Sequence, residues 1–588
     1  MRREGLLKQL SAMRFLLWQG IALQGHDDEE GNLFQLLKLW SASDTSLKHW
    51  LREKKYMSPQ VINELITMMG LKVLRSLLAR FKQSIPAWYA VIVDEATDVT
   101  QSEQLTLTIR SVDDDYVISE DPIGLVSLPN TTADTIVSVI KDLLICCILP
   151  LPLCRGQAYD GASAMQGRKK GVATQIREEV PAALPVHCFA HSLNLCLQDA
   201  AKKIKLLRDE LETVREIKLI NFSSKRKHLL STKLCNDEGV TLKPLCPTRW
   251  TVRTGAIDAV LKDYTILMDT MGEVSRTTHD EYGVKANGIL SVLEKFETLF
   301  GLRLGHLLFG PAEEVSKTLQ GKDTSIQEAV SAVRLGKRFY ERQREDKEFD
   351  RFYDRVIEEA NHLKIGEPKL PRYRRAPARL DDGSQPHTYR TPKDYFQQQY
   401  FEACDLLIGE LEDRFEQKGL MEHVLLLESL LLKAANGNDC STELNEIDKS
   451  LYKDDLDIDR LRRQILLLVD VTRVGVPSVK EVTSVRTICD AMNHEHAYKT
   501  TLSEVHKLLR LFLTIPLTSS TAERTFSVLR CLLTYLRSTM TEQRLNNCLL
   551  LQTHKDLTDN IDLLTIAKEF IAVGVTNERR NYFGVFPE

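Results

Sequence analysis

The chain contains no C-x-x-C pair, and its 12 cysteines are scattered, which excludes a zinc finger built on two close cysteines. It has no long apolar run: LLICCILPLPLC is broken by Pro150 and Pro152 and falls short of the roughly 18 to 20 residues of a membrane-spanning helix. Nothing at its start reads as a secretory apolar region with a cleavage site. These absences point to a soluble protein of a reducing compartment, with the nucleus expected and the cytoplasm as the alternative, and no membrane partner. An excess of positive charge is missing too. With 78 Lys plus Arg against 82 Asp plus Glu, the net charge of −4 gives no chain-wide attraction to polyanions, so any nucleic-acid surface has to be local. No internal repeat is evident.

What remains is a globular composition, 43% hydrophobic over 588 residues, enough for more than one core. Residues 1–85 carry apolar positions at three- and four-residue spacing in RFLLWQGIAL, NLFQLLKLWS and VINELITMMGLKVLRSLLARF, which predicts a helical N-terminal region. From Trp88 the period changes. AWYAVIVD, EQLTLTIRSVD and YVISEDPIGLVSL read as a strand meander, TTADTIVSVIKDLLICCIL as an amphipathic helix, and Leu153–Tyr159 and ALPVHC as short strands with a helical stretch between them. The order β-β-β-α-β-α-β over 86–200 describes half of an α/β sheet domain with parallel crossovers. Residues 201–500 read as almost wholly helical, interrupted at 368–388 by a Pro- and Arg-rich loop whose basic stretch, 371–379, is either a DNA-backbone contact or a solvated linker. A last set of helices follows over 501–575, then a tail at 576–588.

Three acidic motifs stand far apart: VDEATD (93–98), AYDGASAMQG (158–167) and SSTAERTFS (519–527). Carboxylates at strand ends suit hard divalent cations. Each acid also has a plainer reading. Asp94 reads as a solvent-facing strand terminus, Asp160 before Gly161 as a turn or helix cap, and Ser520-x-x-Glu523 as a capping box opening a helix with an apolar face of Phe526, Leu529, Leu533 and Leu536. HCFAH (187–191) and CPTRW (246–250) lie between the second and third motifs. Arg249 suits a phosphate and Trp250 an unpaired base, against a surface Arg beside a core Trp. His187, Cys188 and His191 suit packing at a helix N-terminus or, with further ligands, zinc.

Five motifs in this order resemble the hAT superfamily of DNA transposases, in the branch similar to MYM-type zinc-finger protein 1 and ending in a hAT dimerisation region. The resemblance implies an α/β plus α architecture: a ribonuclease-H-like mixed sheet interrupted by a large all-helical insertion. It also implies that Asp94, Asp160 and Glu523 are the catalytic, metal-holding carboxylates, with Mg²⁺ or Mn²⁺ as cofactor. Arg249 and Trp250 then match the DNA-binding pair of the insertion, and Cys188 with His191 matches the structural C-x-x-H. The implied function is DNA cleavage and strand transfer, with a domesticated, non-catalytic dimerising scaffold as the alternative. The implied partners are DNA and a second or further copy of the chain through 501–575. The sequence departs from the pattern at Ala96, where many relatives have Trp, and has no finger cysteines before Cys146.

Overall fold

The computed structural model describes residues 1–25, 29–167, 170–217, 223–234, 253–278, 280–321, 324, 326–370, 389–415, 418–534, 537, 539–573 and 578–584. The chain forms two compact units, one of Met1–Cys188 with Lys418–Glu588 and the other of Phe189–Gln417.

The first unit holds a five-stranded sheet: β1 (Tyr89–Thr97), β2 (Glu103–Val112), β3 (Ile118–Leu128), β4 (Cys154–Tyr159) and β5 (Leu184–His187), in the order β3-β2-β1-β4-β5. β1, β2 and β3 pair antiparallel, while β4 pairs parallel to β1 and β5 parallel to β4. The meander and the two crossovers expected from the alternation are therefore present, in a mixed sheet. Strand alternation assigns the two faces. Tyr89, Val91 and Val93 of β1 point into a core shared with Ile136, Val137 and Ile140 of the helix Ala133–Cys146 and Ile176 of the helix Val172–Glu179. Ala90, Ile92 and Asp94 point the other way. On that side Gly156 of β4 lies so close to the loop before the last helices that an added Cβ would sit 2.6 Å from Pro516 and 3.1 Å from the Ala90 side chain. Only a residue without a side chain lets that loop lie flat on the sheet.

The N-terminal helices do not stand alone. Leu6, Leu10, Met13, Trp50, Leu65 and Met69 share one core with Leu545, Leu549, Ile566 and Phe570 from the other end of the chain, and Trp50 and Tyr56 sit against Phe583 with ring centroids 6.0 Å and 5.0 Å apart. Phe526, Leu529 and Leu533, of the apolar face expected of the Glu523 helix, enter this same core, while Leu536, expected on that face, lies outside the described residues.

The all-helical insertion expected at 201–500 divides differently: the second unit begins at Phe189 and ends at Gln417, and residues 418–500 belong with the sheet. A helical pattern reports an apolar face but not which neighbour covers it. One tie between 418–500 and the sheet unit is electrostatic. Arg155 of β4 forks onto Asp455, Nε to Oδ2 at 2.7 Å and Nη2 to Oδ1 at 2.6 Å, with both side chains about nine-tenths buried. The second unit has its own aromatic core, with Phe300 against Phe396 at 4.6 Å and against Phe352 at 5.3 Å. No helix among the described residues is long and apolar enough to cross a membrane.

Removing one partner of a buried, bidentate pair strands the other charge. Asp455→Ala is expected to destabilise the sheet unit by about 3–5 kcal/mol, measured as a lowered urea midpoint; a change under about 0.5 kcal/mol would show that Arg155 does not depend on it.

Candidate functional site

The parallel register of β1 and β4 ends with Ile92 opposite Ala158. Two residues further along each strand, the same register sets Asp94 level with Asp160. β1 runs on to Thr97, but β4 stops at Tyr159, and Asp160 starts the turn beyond it by accepting the Ala162 N–H at 3.0 Å. The turn reading of Asp160 thus holds, and it coexists with a place beside Asp94. The helix that follows, Ser163–Gln166, is capped by Ala162 without a side-chain bond.

Glu523 arrives on the helix Ser520–Leu532, which lies against β1, β2 and β3. The capping-box reading fails here. Ser519 is the N-cap and makes no side-chain cap bond, while the Thr518 hydroxyl accepts the Ser520 N–H at 3.1 Å. The Ser520 hydroxyl instead pairs with that of Thr518 at 2.5 Å. Glu523 is therefore free of the capping duty that the sequence pattern suggested, and its charge acts together with those of the two strand-end acids.

The electrostatics record that meeting. Asp94 is buried, at 9% exposure, and its pKa is raised well above the ordinary carboxyl range, first by burial, then by the negative charges of Glu523 and Asp160. Glu523 is pushed up to about 8, by burial and then by Asp160, with Arg524 offsetting part of the effect. A fourth acid joins them. Glu95 is pushed up to about 7 by burial and then by Asp160 and Glu103. The sequence reading passed over Glu95 because alternation puts it on the opposite face from Asp94. At a strand end, with β4 already finished, the sheet no longer separates the two faces.

Oxygen-only donors gathered at a half-buried strand end are the donor chemistry Mg²⁺ or Mn²⁺ selects. Among the described residues no three His, Cys, Asp or Glu side chains already close on one ion-sized point. The residues still fit the ion, because Mg²⁺ keeps several waters and is commonly held by one or two carboxylates together with substrate phosphates.

Cys188 takes the packing role. It is fully buried, its N–H donates to Tyr159 O at 3.1 Å, and its Sγ accepts the Ser519 N–H at 3.2 Å. It therefore links the residue before Asp160 to the N-cap of the Glu523 helix, and burial, followed by the Glu523 charge, pushes its thiol up. His191 lies in the first turn of the helix Phe189–Lys203, across the boundary between the two units. Arg249, Trp250 and the basic loop at 371–379 lie outside the described residues.

Comparison with known proteins bears on both ends of this site. Residues 1–171, which contain Asp94, Glu95 and Asp160, match the ZMYM1/FAM200, RNase-like domain. Residues 478–557, which contain Glu523, match the hAT family C-terminal dimerisation region. The chain is thus similar to hAT-derived proteins at both of these segments. It is 24% identical over 501 residues to the human "52 kDa repressor of the inhibitor of the protein kinase", covering 81% of this chain and 63% of the relative. The mouse protein of the same name is 24% identical over 504 residues, with the same shares covered. The chain thus spans a little under two thirds of the length of these relatives. The segment that matches the dimerisation region buries Val505, Leu508, Leu509, Leu511, Cys548, Leu549 and Leu551 within the chain itself.

A carboxyl whose pKa is higher in the folded state keeps its proton where the unfolded chain has released it, so stability falls as pH rises through that window. For Glu523 the window runs from 4.5 to about 8. In cation-free buffer the melting temperature is expected to fall between those pH values, and Glu523→Gln, which removes the charge, is expected to stabilise the protein at pH 8 by about 1 kcal/mol. A melting temperature that rises across the window in the parent would show that the acids are not crowded together.

Proposed function

We propose that the sheet edge is a cation-dependent site for cleaving and transferring DNA phosphodiesters, with Asp94, Asp160 and Glu523 as its carboxylates. The observation that carries the reading is that Glu523, over 360 residues from Asp160 in sequence, raises the pKa of Asp94 together with Asp160. A merely structural acid at any of the three positions would be cheaper as a neutral residue, since uncompensated buried charge is costly. When bound, Mg²⁺ or Mn²⁺ would stabilise negative charge on the attacking and leaving oxygens of the phosphodiester.

The chain's own residues prepare the place. The parallel register sets Asp94 level with Asp160, the helix Ser520–Leu532 brings Glu523 to the same strand, and burial keeps the Asp94 and Glu523 carboxyls poorly hydrated, so they bind a cation in preference to remaining charged alone. Glu95, at about 7, sits where it can hold or release a proton near neutral pH. Self-association through 478–557 and a nuclear location go with this reading.

The second reading is a domesticated scaffold without chemistry. It is favoured by the repressor name of the relatives. Ala96, where the resemblance expects Trp, packs against the N- and C-terminal helical core, which fits the same reading.

Nicking of supercoiled DNA by the purified chain in Mn²⁺ or Mg²⁺ separates the two. The catalytic reading expects nicking that chelation abolishes and that Asp94→Asn, Asp160→Asn and Glu523→Gln each lower by at least about 100-fold, the several kcal/mol of charge stabilisation a held cation supplies. Equal nicking by parent and Asp94→Asn, or none by the parent, would leave the scaffold.

A further inference from the structure

The helix that delivers Glu523 gets no side-chain cap from Ser519 at its N-cap, and the Thr518 hydroxyl takes only the Ser520 N–H, so further contacts fix its first turn to the sheet. The side chains that do so come from the strands furthest from β4. Arg110 of β2 and Glu120 of β3 are register partners, and their side chains form an ion pair, Nη1 to Oε1 at 2.6 Å. The pair is almost wholly buried, at 4% and 1% side-chain exposure.

Each member also reaches out of the sheet. Arg110 Nε donates to Leu513 O at 3.0 Å, in the last turn of the helix Ser503–Thr514. Glu120 Oε2 accepts from the Thr521 hydroxyl, two residues before Glu523. One ion pair thus grips the end of one helix and the start of the next, on either side of the loop that lies over Gly156. Cys188 holds that loop from the β5 side through the Ser519 N–H.

A buried ion pair is weak evidence for stability, because apolar side chains of similar size often do as well. What a charged fork provides is direction: it satisfies the Leu513 carbonyl and the Thr521 hydroxyl at fixed angles. Since Arg110 neutralises Glu120, the tie adds no net charge next to acids that already repel one another.

We propose that Arg110 and Glu120, acting through Thr521, are positioning residues that set Glu523 within reach of Asp94 and Asp160. This rests on reading the three acids as a cation site. The tie works as a strut: with the Thr521 hydroxyl gone, the first turn of the helix loses its link to the Arg110–Glu120 pair, and Glu523 loses its fixed distance from the strand ends.

The test uses the full chain and Thr521→Val, which keeps the branched shape and removes the hydroxyl, with Thr521→Ser as the conservative rescue. Two readouts are taken: amide hydrogen exchange over 518–526, and Mn²⁺ affinity by titration of free Mn²⁺. The expected result is at least tenfold faster exchange over 518–526 in Thr521→Val with strand amides unchanged, about tenfold weaker Mn²⁺ binding, and recovery of both in Thr521→Ser. Exchange and affinity equal to the parent would overturn the proposal. A parent that binds no Mn²⁺ removes the cation site itself, and the exchange difference then decides the strut alone. Should Thr521→Val not fold, Thr521→Ala is read in the same way.

Discussion

The site depends on the approach of the helix Ser520–Leu532 to the face of β1 that carries Ala90, Ile92 and Asp94. Everything that makes Asp94 more than a buried acid follows from that contact. The contact requires Gly156 to be bare, Pro516 to lie against it, and the helix's apolar face, Phe526 and Leu529, to be drawn into the core built by the two ends of the chain. Hydrophobic burial of that face, worth roughly 1.5–3 kcal/mol for each large side chain, presses the acid against its like-charged neighbours and so offsets the repulsion between them. The crowding of negative charge is held in place by packing elsewhere.

This arrangement explains why the sheet unit is assembled from both chain ends. Residues 1–188 supply the strands, and 478–557 contain the helix that bears Glu523, while Phe189–Gln417 folds as a unit of its own between them in sequence. A chain so interrupted has to close very long loops before its core can form. Specific ties across that separation, such as Arg155 to Asp455, Arg510 Nη2 to Pro86 O at 2.9 Å and His554 Nε2 to Pro122 O at 2.9 Å, keep the late helices in register with the early strands.

The burial of the hAT dimerisation region inside its own unit also bears on how two copies could meet. Most of its large side chains already have partners within the chain, so an interface there has to use its polar surface or the apolar residues just before it, Leu466, Leu467 and Val474, which remain largely exposed.

The five strands, their meander and crossovers, and the switch from helical to strand period at Trp88 were legible in the sequence, because alternation and three-to-four spacing are local properties that each segment carries in itself. The three acids were legible as candidates for the same reason, with the family resemblance linking them. Tertiary structure alone decided the rest. Ser520-x-x-Glu523 satisfies the capping-box pattern, yet the N-cap position falls on Ser519, which makes no side-chain cap bond, because the preceding loop is fixed by Gly156 and Cys188 and not by the helix's own residues. Glu95 was silent because strand alternation hides it until a neighbouring strand ends early. The end of the inserted unit at Gln417 was equally hidden: amphipathic helices on both sides of that point look alike, and only the partner each apolar face finds separates them. A sequence states which surfaces have to be buried; which surface meets which is settled by the packed whole.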